Sequence, residues 1–201
     1  MTIRMIENQD IILKSLEDGI KALEFLKTPE CLSFIDEVAR MIADCMRLGG
    51  KVLIAGNGGS LCDAIHFAEE LTGQFRKKRK ALPAIALSDP GHMSCVANDM
   101  GFDQVFARAV EAHGNSGDIL VILTTSGNSA NLIEAVKAAI DKEMRVVAFL
   151  GKTGGRLKGM ADRELLISGF PFSDRIQEAH MSAIHIILEV LEEELFSSDS
   201  P

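Results

Sequence analysis

The chain has 201 residues, of which 47% are hydrophobic and only 5% aromatic, and its formal net charge is −8 at pH 7. This size suits one domain with a substantial core, while the acidic charge and the scarcity of aromatic side chains argue against a nucleic-acid-binding protein. Four dispersed cysteines exclude a disulfide framework or zinc ribbon, and because neither a signal peptide nor a membrane-spanning apolar run is found, we expect a cytoplasmic protein without membrane contact.

The first part of the chain has a helical pattern. Over residues 6–26, apolar residues recur at three- and four-residue spacings with charged residues between them, which predicts an amphipathic helix. Thr28 as a cap and Pro29 in the first turn predict a second helix, which should end near Leu48, before two glycines. Because neither the first nor the last predicted helix connects two strands, each must cover a sheet or contact another subunit, which favours a homo-oligomer.

After residue 50, short apolar runs alternate with helical segments. The runs KVLIAG, PAIALS, DILVILTTS, RVVAFLG and RELLIS predict strands, and a last helix should extend from about Asp174 to Phe196. Such runs are typical of strands buried on both faces of a parallel sheet, and the alternation predicts a three-layer α/β/α sandwich. The expected divisions of a single domain (1–201) are an N-terminal helical extension (1–50), an α/β core (51–196) and a disordered tail (197–201).

The first predicted strand leads into the glycine-rich sequence GNGGS, residues 56–60, at the start of a helix. Glycines let backbone amides approach a ligand, and a helix N terminus favours anions. A dinucleotide fingerprint is excluded because Leu61 replaces its third glycine, and GKTGG at 151–155 lacks the leading glycine of a P-loop. Ser60 and Asp63 are also consistent with a simple helix cap, so this loop alone leaves structure and function equally open.

The sequence TTSGNS, residues 124–129, forms a second loop between an apolar run and a predicted helix. Thr124, Thr125, Ser126 and Ser129 supply hydroxyl groups, and a glycine lies among them. Hydroxyls and free amides at the start of a helix can hold a phosphate without a cationic side chain. Because a helix cap needs only one such residue, the loop predicts a phosphate-binding site.

His66 and Glu70 lie four residues apart in the helix after the first loop and therefore share a face. A polar pair just beyond a ligand-binding loop suits proton transfer. A structural histidine bonded to a surface glutamate has the same spacing, and Glu69 is an alternative carboxylate. Spacing alone leaves these interpretations open.

The last predicted helix carries a second candidate histidine, His185. Either Gln177 or Glu178 can share its face, whereas His180 points ~140° away at ~100° per residue. A histidine in a mostly apolar terminal helix is more often structural than catalytic. Helical geometry does not choose between Gln177 and Glu178.

Taken together, several segments resemble the SIS-domain phosphoheptose isomerases. They are AGNGGSLCDAIHFAEELTG, ALPAIALSD, VANDMGFDQVFAR, TTSGNSANLIEAVKAA and RIQEAHMSAIHIILEVLE, in the family's order and nearly its spacing over about residues 10–196. The resemblance implies a flavodoxin-like sheet, a homotetramer, and conversion of D-sedoheptulose 7-phosphate to D-glycero-D-manno-heptose 7-phosphate. That reaction begins bacterial ADP-heptose synthesis for lipopolysaccharide.

The resemblance also assigns roles to individual residues. Glu70 matches the family's catalytic glutamate and His185 its catalytic histidine. The zinc ligands of some members correspond to His66, Glu70, Gln177 and His185, so the family favours Gln177 over Glu178. The positions that match substrate-binding residues are Asn57, Gly58, Gly59, Ser60, Glu70, Asn98, Asp99, Thr124, Thr125, Ser126, Ser129 and Gln177.

Departures from the family pattern, and a rival function, are also visible in the sequence. Gln74 stands where close relatives have Arg, which removes a charged contact to substrate or neighbour. The basic run RKKRK, residues 76–80, is either a solvated loop or a means of attracting an anionic substrate. A SIS-domain relative that binds the replication initiator protein lacks the residues equivalent to Glu70 and His185. Both are present here, which favours an enzyme over a binding protein.

Overall fold

The structure is a computed structural model that describes residues 7–197. Within these residues the chain forms the predicted α/β/α sandwich around a parallel sheet in the strand order β2-β1-β3-β4-β5, which is the flavodoxin-like order. The strands are β1 (Val52–Gly56), β2 (Ala84–Ala86), β3 (Ile119–Thr124), β4 (Arg145–Gly151) and β5 (Arg163–Ile167). The predicted disordered tail falls outside the described residues, apart from Ser197.

The helices follow the predicted positions closely. They are α1 (Gln9–Phe25), α2 (Pro29–Arg47), α3 (Gly59–Thr72), α4 (Pro90–Met100), α5 (Val105–His113), α6 (Ala130–Asp141) and α7 (Ser173–Phe196). The helical segment between β2 and β3 is divided into α4 and α5 at Gly101, which has φ 96°, a conformation that other residues rarely adopt. None of the helices in the described part of the chain has both the length and the apolar character needed to cross a membrane.

Two apolar cores flank the sheet. One packs α2, α3 and α7 against one face, and the other packs α4, α5 and α6 against the opposite face. Val52 and Ile54 of β1 face the first core, whereas Leu53 and Ala55 face the second, as the two-residue period of a strand requires. Every residue of β1 and β3 is buried, which explains why their sequences are almost continuously apolar.

Helix α1 lies against α7 but leaves most of its apolar side chains exposed. Within Gln9–Phe25 only Ala22 is buried, while Ile11 is 69% exposed, Leu16 59% and Ile20 57%. Helix α1 therefore does not cover the sheet in a single chain, which leaves contact with another subunit as its expected role.

The carboxyl ends of β1 and β3 lie side by side, with residues paired from Val52 and Ile119 to Gly56 and Leu123. In this strand order the chain reverses its direction of winding between these two strands, and ligands bind at that point in open α/β sheets. The two loops that the sequence singled out therefore meet at one position on the sheet.

His180 provides a test of the packing in α7. Its ring is fully buried, with Nε2 3.1 Å from the carbonyl oxygen of Leu150, and it faces away from His185 as predicted. Burial lowers the pKa of His180 to about 4. The folded chain thus keeps this ring neutral at pH values where the unfolded chain binds a proton, so stability should decrease as pH falls from about 6.5 to about 4.

We expect His180 to contribute a loss of about 2 kcal/mol in unfolding free energy between pH 7.5 and pH 5. Urea unfolding at both pH values should show this loss in the protein but not in a His180→Gln variant. Subtracting the two results isolates His180, because all other titratable groups contribute equally to both proteins. The amide retains a donor for the Leu150 carbonyl. An identical pH dependence of the unfolding free energy in the two proteins would contradict the lowered pKa of His180.

Candidate active site

The loops after β1 and β3 enclose a cavity of about 220 Å³. It is lined by Asn57, Ser60, Leu123, Thr124, Thr125, Ser126, Ser129, Ser173 and Gln177. The structure thus brings together the four hydroxyl-bearing residues of the second loop with Asn57, Ser60 and Gln177. None of the lining residues, all of them in the described part of the chain, is cationic.

The second loop is held in shape by a close approach of backbones. The Gly127 amide donates to Thr124 Oγ1 over 3.1 Å, and Gly127 has φ 66°. A Cβ at Gly127 would overlap the carbonyl oxygen of Gly154, and one at Gly155 would lie 2.5 Å from the Ser126 carbonyl oxygen. Gly154 and Gly155 of the sequence GKTGG therefore allow the backbone of the hydroxyl-rich loop to pack closely against this segment.

A reciprocal pair of amide hydrogen bonds joins the two loops. Asn57 Nδ2 donates to Asn131 Oδ1 over 3.0 Å, and Asn131 Nδ2 donates back to Asn57 Oδ1 over 2.9 Å. Asn131 is buried in the first turn of α6. Sequence reasoning missed this residue because an asparagine at the start of a helix has no pattern that distinguishes a buried link from an ordinary polar residue.

The amino ends of α3, α6 and α7 all reach this cavity, through Ser60, Ser129 and Ser173. Helix amino ends carry partial positive charge and unpaired amides, so together they favour an anion. Ser173 was not predicted as a site residue, although its Oγ lies 2.9 Å from Thr125 Oγ1. A hydroxyl directly before the predicted start of the last helix was the available signal.

Two histidines and a glutamate meet between α3 and α7. The Nε2 atoms of His66 and His185 are 2.9 Å apart, and His66 Nε2 is 3.5 Å from Glu70 Oε1. One ligand atom from each of these residues lies within 4.8 Å of the other two. Tetrahedral zinc with ligands at about 2.1 Å places them about 3.4 Å apart, so this nitrogen and oxygen donor set fits zinc.

The two neighbouring carboxylates of α3 contact different nitrogens of His66. Glu69 Oε1 lies 2.9 Å from Nδ1, whereas Glu70 lies on the Nε2 side, with His185. A carboxylate on the outer nitrogen orients a metal-binding histidine and leaves the other nitrogen free for the metal. The Glu70 side chain is 17% exposed and the Glu69 side chain 59%, so Glu70 is the more enclosed of the two.

The His185 ring is enclosed by aromatic neighbours. Phe75 stacks on it at 5.8 Å between ring centroids, and His66 meets it edge-on at 5.2 Å. Burial is the main cause that lowers the pKa of His185, followed by the charge of His66, while Glu70 opposes the shift. The neutral imidazole that a metal requires is therefore favoured.

Gln177 connects the cavity to the histidines. It lines the 220 Å³ cavity and also a neighbouring groove that contains His185, and its Nε2 is 3.5 Å from Ser60 Oγ. A Cβ at Gly59 would lie 2.5 Å from Gln177 Nε2, so a larger residue there would displace the end of the Gln177 side chain. Glu178 also lines this groove, where it pairs with Arg175 over 2.7 Å, but it does not reach the 220 Å³ cavity.

Some predicted residues lie apart from this arrangement. Asn98 and Asp99 are exposed on α4, where Asn98 Nδ2 donates to Asp99 Oδ1 over 2.7 Å, and neither lines the cavity. Gly58 is the N-cap of α3 with φ 56°. The alternative in which Ser60 and Asp63 cap α3 is wrong, because the N-cap is Gly58 and both residues lie inside the helix.

Comparisons with known proteins agree with this fold. The profile of the SIS domain matches residues 21–151. Phosphoheptose isomerase of Sodalis glossinidius (strain morsitans) is 52% identical over 93% of this chain and 97% of its own, and that of Vibrio cholerae serotype O1 is 50% identical over 93% and 98%. A phosphoheptose isomerase structure from Francisella tularensis has a TM-score of 0.88 and 37% identity, covering 94% of this chain and 100% of that one. The chain belongs to the phosphoheptose isomerase family of SIS-domain proteins.

Proposed function

We propose that this protein is a cytoplasmic isomerase that converts D-sedoheptulose 7-phosphate to D-glycero-D-manno-heptose 7-phosphate, the first step toward ADP-heptose and lipopolysaccharide. The observation that carries the proposal is a hydroxyl-lined anion cavity joined through Gln177 to a histidine–glutamate cluster. The names of the relatives point to the same reaction. The replication-initiator-binding alternative has no supporting feature in this site.

The cavity suits the phosphate end of the substrate. Thr124, Thr125, Ser126 and Ser129 line it, and Ser173 adds a hydroxyl that the sequence did not predict. Hydroxyl donors and helix amino ends can hold a phosphate without a cationic side chain. Holding the far end of the sugar uses binding energy to orient the reacting carbons.

The histidine–glutamate cluster suits proton transfer between C1 and C2. Glu70 removes the proton from C1 while His185 protonates the carbonyl oxygen on C2, which forms an enediol. The hydroxyl on C1 then gives its proton to His185, which restores that residue, while the C1 carbonyl forms and Glu70 returns a proton to C2. His185 also assists opening of the sugar ring, because only the open chain has a free carbonyl.

The same residues fit a zinc ion. His66, Glu70 and His185 provide the donors described above, and Gln177 in the adjoining groove is the proposed fourth ligand. When bound, zinc would polarise the carbonyl and hydroxyl oxygens of the substrate. A site with an amide ligand and no thiolate binds zinc less tightly than the cysteine sites of structural zinc proteins.

The exposed face of α1 supports the proposed homotetramer. Exposed apolar patches of this kind mark protein contacts, and a second copy of the chain supplies a matching apolar face. We expect Leu16→Glu combined with Ile20→Glu to lower the mass below that of four 21.8 kDa chains in analytical ultracentrifugation. Lys21→Glu, an exposed polar change on the same helix, should leave the mass unchanged. A tetramer that survives the double substitution would exclude this face.

The deciding experiment follows conversion of sedoheptulose 7-phosphate by NMR in D₂O, with and without added zinc. Formation of the aldose, with deuterium entering at the transferred position where solvent reaches the enediol, would support both the reaction and its mechanism. A difference between the two samples would show the contribution of zinc. No conversion by folded protein under either condition would exclude the isomerase and leave the binding protein.

A further inference from the structure

The basic run 76–80 is packed against α7. The Arg79 side chain is 1% exposed, and its Nε lies 2.8 Å from Oε1 of Glu192, which is itself 2% exposed. On either side of this pair, Arg76 contacts Glu189 and Lys77 contacts Glu193, each over 2.5 Å. The solvated-loop prediction is wrong for Arg79, and no residue of the run lines the anion cavity.

Arg79 also holds the carboxyl end of α3. Its Nη2 donates to the carbonyl oxygen of Glu70 over 2.7 Å, and its Nη1 donates to that of Leu71 over 3.0 Å. The last carbonyls of a helix lack partners within the helix, and a cation there also interacts favourably with the helix dipole. The Arg79 guanidinium therefore donates a hydrogen bond directly to the backbone of Glu70, the proposed catalytic base.

Glu192 ties this arrangement to the other helix. Its Oε2 accepts hydrogen bonds from the amides of Arg76 and Lys77 over 3.2 and 3.0 Å. Glu192 lies seven residues after His185, which is close to two turns of α7, so the two residues share a face. The buried ion pair thus links the end of α3 to the side of α7 that presents His185.

Phe75, immediately before the run, contacts the reacting group itself. Its ring stacks on that of His185 with an interplanar angle of 23°. The Arg76 guanidinium lies 5.3 Å from the centroid of the same phenyl ring, which adds a cation–π contact. One short segment therefore touches both halves of the histidine–glutamate cluster.

Resting on the proposed isomerase function, we propose that Phe75–Arg79 is a positioning strap: Phe75 fixes the His185 ring, and Arg79 with Glu192 fixes the end of α3 that carries Glu70. The cluster lies between two helices, so its geometry depends on how these helices are held together. A misplacement of about 1 Å at reacting groups can cost about 10²-fold in rate. The basic run thus acts on the substrate indirectly, through Glu70 and His185.

The first test is Arg79→Lys, which keeps the charge but loses the planar fork that serves three backbone carbonyls and a carboxylate. We expect kcat to fall about 10- to 100-fold while KM changes little, because the strap does not line the anion cavity. Zinc affinity, measured by competition with a chromophoric chelator, should fall about tenfold. The matched control is Lys51→Met, which breaks the Lys51–Asp118 pair before β1, at the opposite end of the strand from the site.

The second test separates ring stacking from folding. Phe75→Leu should lower kcat and zinc affinity about tenfold, whereas Phe75→Tyr, which keeps the ring, should retain both. The strap is overturned if Arg79→Lys and Phe75→Leu leave both quantities within about twofold of the unsubstituted protein, a free-energy change under about 0.5 kcal/mol. The strap is also overturned if Lys51→Met lowers kcat and zinc affinity as much as the strap variants do for an equal loss of unfolding free energy.

The two proposals fail in different ways. If the unsubstituted protein converts no substrate but binds zinc, the isomerase is excluded, and the zinc affinities of the variants still decide the strap. If it converts substrate without binding zinc, the effects on kcat and KM decide the strap. If it does neither, both proposals are overturned.

Discussion

Glu70→Gln should lower kcat for sedoheptulose 7-phosphate by about 10²- to 10⁴-fold, because the amide cannot accept the proton from C1. The substitution keeps the shape of the side chain and an oxygen that can face His66. Substrate binding should remain measurable by calorimetry, since the hydroxyl-lined cavity proposed to hold the phosphate does not include Glu70. The expected signature is loss of turnover with retained binding.

The neighbouring Glu69→Gln variant identifies which carboxylate is the base. Glu69 contacts only the outer nitrogen of His66 in this cluster, so its replacement should disturb the orientation of that ring and cost about 10- to 100-fold at most. If Glu70→Gln keeps more than about a tenth of the turnover, Glu70 does not make the contribution of about 10²- to 10⁴-fold that is expected of a general base. If Glu69→Gln is the more damaged variant, the two roles are reversed.

Gly127→Ala should have the second large effect, this time on substrate binding. The added Cβ would overlap the carbonyl oxygen of Gly154, so the loop that carries Thr124 to Ser129 must move away from its support. We expect KM to rise at least about tenfold, which corresponds to about 1.4 kcal/mol of lost binding. The unfolding free energy should also fall by more than the roughly 1–2 kcal/mol cost of a left-handed backbone alone.

Gly159→Ala is the matched control for this change. Gly159 also has a positive φ, 84°, but nothing lies within 4 Å of the position that its Cβ would occupy. Urea unfolding and steady-state kinetics should therefore show the backbone cost without the increase in KM. Equal effects from the two substitutions would show that the close contact with Gly154 does not shape the cavity.

The secondary structure and the fold class could be predicted from the sequence because they follow from local patterns. Strands buried on both faces need almost continuous apolar residues, as in β3, and helices such as α6 need an apolar stripe at helical spacing. The hydroxyl-rich loop and the His66–Glu70 pair are equally local, since each lies within six residues. The resemblance to phosphoheptose isomerases added the fold family and the proposed reaction, and the comparisons confirmed the family.

Other features depend on residues distant in the chain, and only the tertiary structure decided them. His66 and His185 are 119 positions apart, and their contact depends on how α3 packs on α7. The position of α7 beside the loop after β3 likewise brings Gln177 to the cavity and Ser173 beside Thr125.

The basic run shows the limit of local reasoning most clearly. A cluster of charges predicts exposure, because ions are costly to bury unless they are paired. The partner of Arg79 is Glu192, 113 positions away in α7, and nothing near the run indicates it. The sequence by itself determined the elements and most of the chemical groups, since periodicity and loop composition are local. The pairing of those groups across helices was decided by packing, because each contact depends on two surfaces that the sequence specifies separately.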